Sequence, residues 1–183
     1  MKVLGISGSL RRDSHNTRLL RAAGALLPPG AELEVWEGLK AVPPYDADDD
    51  ASAPRPPVLR ALADAIAEAD VVLFATPEYN HSLPGQLKNA LDWISRPLAT
   101  TPLRGKPVAV VGASTGLFGA VWAQAELRKV LGAIGARVID RELPVGLADD
   151  AFTAEGRLAD ADQELALADL LAELVGEVDA VAV

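Results

Sequence analysis

The sequence predicts one doubly wound α/β domain over residues 1–183, a five-stranded parallel sheet in the order 2-1-3-4-5 with helices on both faces. Three observations carry this expectation. Strand-like and helix-like segments alternate along the chain, as a parallel sheet with crossover helices requires. The clearest strand, Val71 to Ala75, is apolar at every position, as a strand covered on both faces must be. Five strands in a chain of 183 residues suit the shorter of the two common doubly wound orders.

The elements follow in order. Lys2 to Ile6 is short, apolar and closed by Gly-rich sequence, so it reads as the first buried strand. Leu19, Ala22, Ala23 and Leu26 recur at helical spacing, and Pro28 and Gly30 end that helix. Leu33 and Val35 alternate with Glu32 and Glu34, the pattern of a half-exposed edge strand. Val42 to Pro57 is rich in Pro and Asp and reads as a long surface loop. Leu59, Leu62, Ala63 and Ile66 give a second helix, and Val71 to Ala75 the third strand. Leu87, Ala90, Leu91 and Ile94 give a third helix. Pro107 to Val111 reads as the fourth strand. Leu127, Val130, Leu131 and Ile134 form a fourth helix, Val138 and Ile139 lie on a fifth strand, and Leu167, Leu170, Leu171 and Leu174 mark the last helix. In the flavodoxin-like order, ligands sit at the carboxyl ends of strands one and three, where the strand order reverses. The richest motifs here follow strands one, three and four.

Composition narrows the function. Seventeen Lys and Arg against 26 Asp and Glu leave a net charge of −9. That balance disfavours nucleic acid and docking on an anionic membrane surface, both of which need a basic face. Local N–H groups can still hold one phosphate. With no cysteine, disulfides, thiolate metal sites, iron–sulfur clusters and Cys nucleophiles are excluded. With two histidines and no cysteine, no metal site is expected. No apolar run approaches the roughly 20 residues that span a bilayer. MKVLGISGSLRR has no signal-peptide core, so a cytoplasmic protein is expected.

The loop after strand one reads GSLRRDSHNT, from Gly8 to Thr17. It leaves a buried strand and enters a helix, whose first turn exposes unpaired N–H groups and positive partial charge. Ser9, Ser14 and Thr17 add hydroxyls, Asn16 an amide, and Arg11 a guanidinium able to grip an anion bidentately. The spacing fits neither GxxxxGK[ST] nor GxGxxG, so nucleoside triphosphate chemistry has no support. The competing reading is that Ser14 or Asn16 simply caps the helix. His15 reads as a solvent-side loop residue.

The loop after strand three, Thr76 to Gly85, is stiffened by Pro77 and Pro84, with Ser82 a candidate helix cap. A rigid loop there makes a platform for a flat ring. Backbone N–H groups near Glu78 to Asn80 are candidate edge donors, with the Tyr79 ring and the Asn80 amide beside them. The competing readings place Tyr79 in a subunit contact and the Glu78 carboxylate in solvent. In the loop after strand four, Gly112 to Gly119, small residues permit close approach of a ligand, and Ser114 and Thr115 offer hydroxyls. Trp122 reads as core or interface.

Three stretches together, GSLRRDSHNTRLL, TPEYNHSLPGQLKNALDWISR and KPVAVVGASTGLFG, resemble the NADPH-dependent FMN reductase family. That flavodoxin-like group also includes quinone, azo-dye and chromate reductases. The resemblance covers most of residues 1 to 135 and implies an FMN cofactor reduced by NADPH or NADH, with hydride then passed to a small acceptor at the same site. It implies that Ser9, Arg11, Ser14, Asn16 and Thr17 hold the FMN phosphate. Pro77, Glu78, Tyr79 and Asn80 would line the isoalloxazine ring, and Ser114 and Gly116 would border the ring or the ribityl chain. The cofactor carries the hard chemistry, so no catalytic side chain is expected. The resemblance also implies a homodimer or homotetramer with the site near a subunit boundary. The helix from Leu87 to Arg96 and the loop from Tyr45 to Asp50 are the interface candidates. Within that helix, Lys88 with Asp92 and Asp92 with Arg96 also read as exposed i,i+4 pairs. Alternatives are a flavodoxin-type electron carrier, an FMN-binding redox sensor without turnover, and, more weakly, a nucleotide-processing α/β enzyme.

Overall fold

In the computed structural model, which describes residues 1–52 and 54–179, the apolar runs become strands β1 (Lys2–Ser7), β2 (Glu32–Trp36), β3 (Val71–Thr76), β4 (Pro107–Ala113), β5 (Arg137–Val138) and β6 (Pro144–Val145). The helices are α1 (His15–Leu26), α2 (Ala47–Ser52), α3 (Pro57–Glu68), α4 (Gly85–Ile94), α5 (Val121–Ile134) and α6 (Ala161–Asp179). The sheet runs β2-β1-β3-β4-β5, all parallel, the flavodoxin-like order that the sequence predicts.

Alternation along each strand sorts its side chains between two cores. Leu4, Ile6, Val72, Phe74, Val108 and Val110 face α3, α4 and α5. Val3, Val71, Leu73, Ala109 and Val111 face α1 and α6. The edge strand β2 keeps Glu32 and Glu34 exposed, with Leu33 and Val35 half-buried.

The structure departs from the sequence reading in three places. The fifth strand is only two residues long, and a sixth, β6, pairs with the carboxyl end of β4 through Gly112–Pro144 and Ala113–Val145. Segments of two residues carry no periodicity for a pattern to reveal. The Pro/Asp-rich stretch is more than a loop: it contains α2, preceded by a 3-10 turn at Gly38–Ala41. Asp46 Oδ1 accepts from the Asp48 N–H at 2.8 Å, and Asp48, Asp49 and Asp50 sit in the first turn of α2, where the helix dipole favours them. Ala53, within that stretch, and the last four residues lie outside the described residues. Finally, α4 has Pro84 at its N-cap with no side-chain cap, because the Ser82 hydroxyl is engaged elsewhere.

The α4 motif has a concrete structural use. Gln86, Asn89 and Trp93, at i, i+3 and i+7, share one helix face. Gln86 Nε2 donates to the carbonyls of Leu39 (2.9 Å) and Val42 (2.8 Å). Asn89 Nδ2 donates to the Pro43 carbonyl (2.7 Å) and its Oδ1 accepts from the Tyr45 N–H (2.8 Å). Trp93 Nε1 also donates to Pro43 (2.9 Å). One helix face thus pins the segment that follows β2. Of the two charge pairs, Lys88–Asp92 forms at 2.7 Å, whereas Arg96 lies over the Tyr45 ring.

Candidate active site

The loops leaving β1, β3 and β4 converge on one cavity of about 130 Å³ at the carboxyl edge of the sheet. The first loop contributes Ser9, Arg11, Ser14, His15 and Asn16, the second Pro77, Glu78 and Tyr79, and the third Ser114 and Thr115. Eight of the eleven residues singled out in the sequence therefore line it. Thr17 faces a neighbouring cavity, Asn80 sits at a turn tip, and Gly116 turns its carbonyl to the Leu147 N–H at 3.0 Å.

Ser14 does cap α1: its Oγ accepts from the Thr17 N–H at 3.2 Å. Capping and anion binding are compatible here, because the next two N–H groups, of His15 and Asn16, find no protein acceptor among the described residues. The Asn16 side chain is not free for a ligand. It is 2 % exposed, its Nδ2 donates to the Ala113 carbonyl and its Oδ1 accepts from the Ala113 N–H, both at 2.9 Å. Its amide thus welds the start of α1 to the end of β4, leaving only its backbone N–H for a phosphate. His15 is not solvent-side: its side chain is 12 % exposed, its Nε2 lies 3.1 Å from Asp149 Oδ1 and its ring stacks on Phe152.

The loop after β3 is a two-residue hairpin. Tyr79 and Ser82 exchange both backbone hydrogen bonds (3.0 and 3.1 Å), and Asn80 and His81 both have positive φ, 53° and 60°. Left-handed geometry at both central residues suits a type I′ turn, and Asn tolerates it. The Tyr79 N–H is thus spent within the turn. Those of Glu78 and Asn80 find no protein acceptor among the described residues.

Glu78 is not a solvated charge. Its side chain is 14 % exposed, and Oε2 accepts from the N–H groups of Trp122 (3.1 Å) and Ala123 (3.2 Å). It therefore caps α5 from outside, in place of Ala120, which has no side chain able to do so. Glu126 of α5 returns the contact, accepting from the Ser82 hydroxyl and from the Leu83 N–H at 3.3 Å. Two carboxylates thus latch the hairpin to α5. His81 Nδ1 lies 3.5 Å from Glu78 Oε1, and its ring meets the edge of Trp122. Trp122 itself is not core: it is 43 % exposed, beside Phe118 at 60 % and Leu117 at 70 %.

Sequence reasoning missed Glu126, Asp149 and Phe152. Each acts through a contact with a distant loop, and no local pattern marks such a contact. Glu78 was seen but its partner was not, because nothing in the sequence says that the amino end of α5 faces the hairpin.

The family model for NADPH-dependent FMN reductases matches residues 1–150. An NAD(P)H-dependent FMN reductase of Pseudomonas aeruginosa is 45 % identical over 161 residues, covering 87 % of this chain and 85 % of that protein. A quinone reductase of Escherichia coli is 39 % identical over 141 residues, 77 % of this chain and 74 % of that one. Among solved structures, the flavoenzyme NAD(P)H:(acceptor) oxidoreductase of Paracoccus denitrificans superposes with a TM-score of 0.83 at 34 % identity, over 97 % of both chains.

Proposed function

The chain belongs to the NADPH-dependent FMN reductase family, and from that premise we propose that the cavity between the loops after β1, β3 and β4 holds FMN and admits a quinone as the second substrate. The chain is an FMN-dependent NAD(P)H oxidoreductase. The convergence of three loops on one cavity carries the assignment of the site, because a phosphate and a flat ring need different donors within one ligand's length.

The residues fit the cofactor. The unpaired N–H groups of His15 and Asn16, the Ser9 and Ser14 hydroxyls and the Arg11 guanidinium suit a terminal phosphate. The Glu78 and Asn80 N–H groups suit the pyrimidine edge of the ring, and Ser114 and Thr115 border it. Thr17 extends the phosphate loop on its other side. When bound, FMN supplies the two-electron centre between nicotinamide and acceptor. The chain's part is to bind and orient. The Glu78 and Glu126 latch holds Pro77 to Tyr79 in place, Asn16 fixes the two outer loops in register, and the exposed Tyr79 ring borders the open side. No side chain here is asked to move a proton.

We read residues 1–183 as one FMN-binding domain of a cytoplasmic homodimer or homotetramer. No helix among the described residues is long and apolar enough to cross a membrane. Leu117, Phe118, Trp122 and Leu147 leave large apolar side chains exposed beyond the carboxyl ends of β4 and β6, which suits cover by a second copy. Light scattering is expected to give at least twice the mass of the 19.1 kDa chain. A monomer at working concentration would refute the assembly.

The reductase assignment is tested by adding NADPH to the FMN-loaded protein without oxygen. The flavin absorption should bleach at a catalytic rate and recover on adding a quinone; bound flavin that stays oxidised would instead mark an electron carrier or sensor. Arg11→Ala should weaken FMN by about tenfold, since a charge-assisted contact to phosphate is lost at a solvent-accessible site. An unchanged FMN dissociation constant would remove Arg11 from the phosphate site.

A further inference from the structure

A second cavity, of about 390 Å³, opens on the other side of the phosphate loop, between that loop, α1 and the end of β2. It shares Ser9 and Arg11 with the first cavity, so one guanidinium lies between the two. Its walls carry four cations, Arg11, Arg12, Arg21 and Lys40, against one carboxylate, Glu37. None of the four cationic side chains has an ion pair or hydrogen-bond partner among the described residues. That is a local excess of positive charge in a chain of net charge −9. Seven cations elsewhere, Lys2, Arg55, Lys88, Arg128, Arg137, Arg141 and Arg157, pair with carboxylates.

The cavity also has an aromatic wall. Trp36 lines it and packs against Gly38, where an added Cβ would lie 2.3 Å from the indole ring. Glycine at 38 therefore lets the indole rest against the backbone. An aromatic surface, several unpartnered cations and room for a nucleoside suit a phosphorylated purine nucleoside.

We propose that this cavity takes the adenosine 2′-phosphate half of NADPH and so makes the enzyme prefer NADPH to NADH. Arg12, Arg21 and Lys40 read the phosphate dianion, and Trp36 offers its face to the adenine. The assignment rests on the reading above that a nicotinamide dinucleotide reduces FMN in the adjoining cavity. Arg11, between the cavities, serves the near phosphates, so the discriminating residues are the other three.

The test combines binding and kinetics on the FMN-loaded protein. Calorimetry compares adenosine 2′,5′-bisphosphate with 5′-AMP, on the wild-type protein and on the triple variant R12A/R21A/K40A. The bisphosphate should bind wild type about tenfold more tightly than 5′-AMP, and the triple variant should lose that difference. The KM for NADPH should rise about tenfold in the triple variant, while that for NADH moves less than about twofold. Added salt should weaken bisphosphate binding to wild type and leave the variant little changed. The proposal is overturned if the two nucleotides bind wild type equally, or if the two KM values shift together. It is also overturned if the triple variant loses FMN, since these cations would then serve the FMN phosphate. Failure of the reductase reading looks different: neither dinucleotide would bleach the flavin. Should the triple variant fold poorly, the calorimetric comparison on wild type still decides.

Discussion

Asn16→Ala should destabilise the FMN-free protein by about 2–4 kcal/mol and weaken FMN as well. The amide is 2 % exposed and makes two 2.9 Å bonds to the backbone of Ala113. Its removal leaves a buried N–H and a buried carbonyl without partners, and each such group costs about 1–3 kcal/mol. Without the amide the start of α1 is no longer tied to β4, and its movement would carry the N–H groups of His15 and Asn16 away from the cavity. Chain length makes the effect easy to read, since about 1 kcal/mol shifts Tm by about 2–4 °C in a domain of this size. Urea unfolding of the FMN-free variants is the direct measurement. Asn16→Asp, which keeps the acceptor for the Ala113 N–H but sets a carboxylate against its carbonyl, should do no better than Ala. A loss below about 0.5 kcal/mol, within the range of ordinary surface substitutions, would show that the two loops hold their register without this amide.

Asn16 also shows how far a sequence can be read. The loop it belongs to was legible, because a buried strand followed by Gly, several hydroxyls and an arginine has few other uses. The face to which the Asn16 side chain turns was not, because helix spacing alone cannot tell an amide aimed at a ligand from one aimed at a strand 97 residues away. The same split recurs through the fold. Strands β1, β3 and β4 were visible as apolar runs, since burial on both faces selects apolar residues along their centres. β6 was not, since Pro144–Val145 is two residues long and is defined by its pairing to β4. α2 was hidden by the prolines around it, although its run of Asp residues at a helix start carried a signal. In the α4 motif the apolar residues were readable as a helix, but the pinning of residues 39–45 by Gln86, Asn89 and Trp93 depends on the tertiary approach of two segments.

Glu78→Ala is the second large effect, and it separates two meanings of the acid in the PEYN stretch. One meaning is a carboxylate acting on the ligand; the other is a cap for α5. The geometry assigns the cap, since Oε2 already accepts from the Trp122 and Ala123 N–H groups. Loss of a cap costs about 1–2 kcal/mol, and both carboxylate latches share the hairpin, so the hairpin should loosen with it. Stability should therefore fall by about that amount, and FMN affinity should fall by about tenfold because Pro77 to Tyr79 is no longer held. Glu78→Gln keeps one acceptor oxygen and loses the favourable charge at the helix start, worth about 0.3–1 kcal/mol. It should lie between Ala and wild type on both measures. With FMN saturating, the rate of flavin bleaching by NADPH should be nearly normal in Glu78→Gln, because the carboxylate's charge is spent on the helix. A Gln variant that binds FMN normally and folds normally, yet bleaches about a hundredfold more slowly, would place Glu78 in the chemistry and end the capping account.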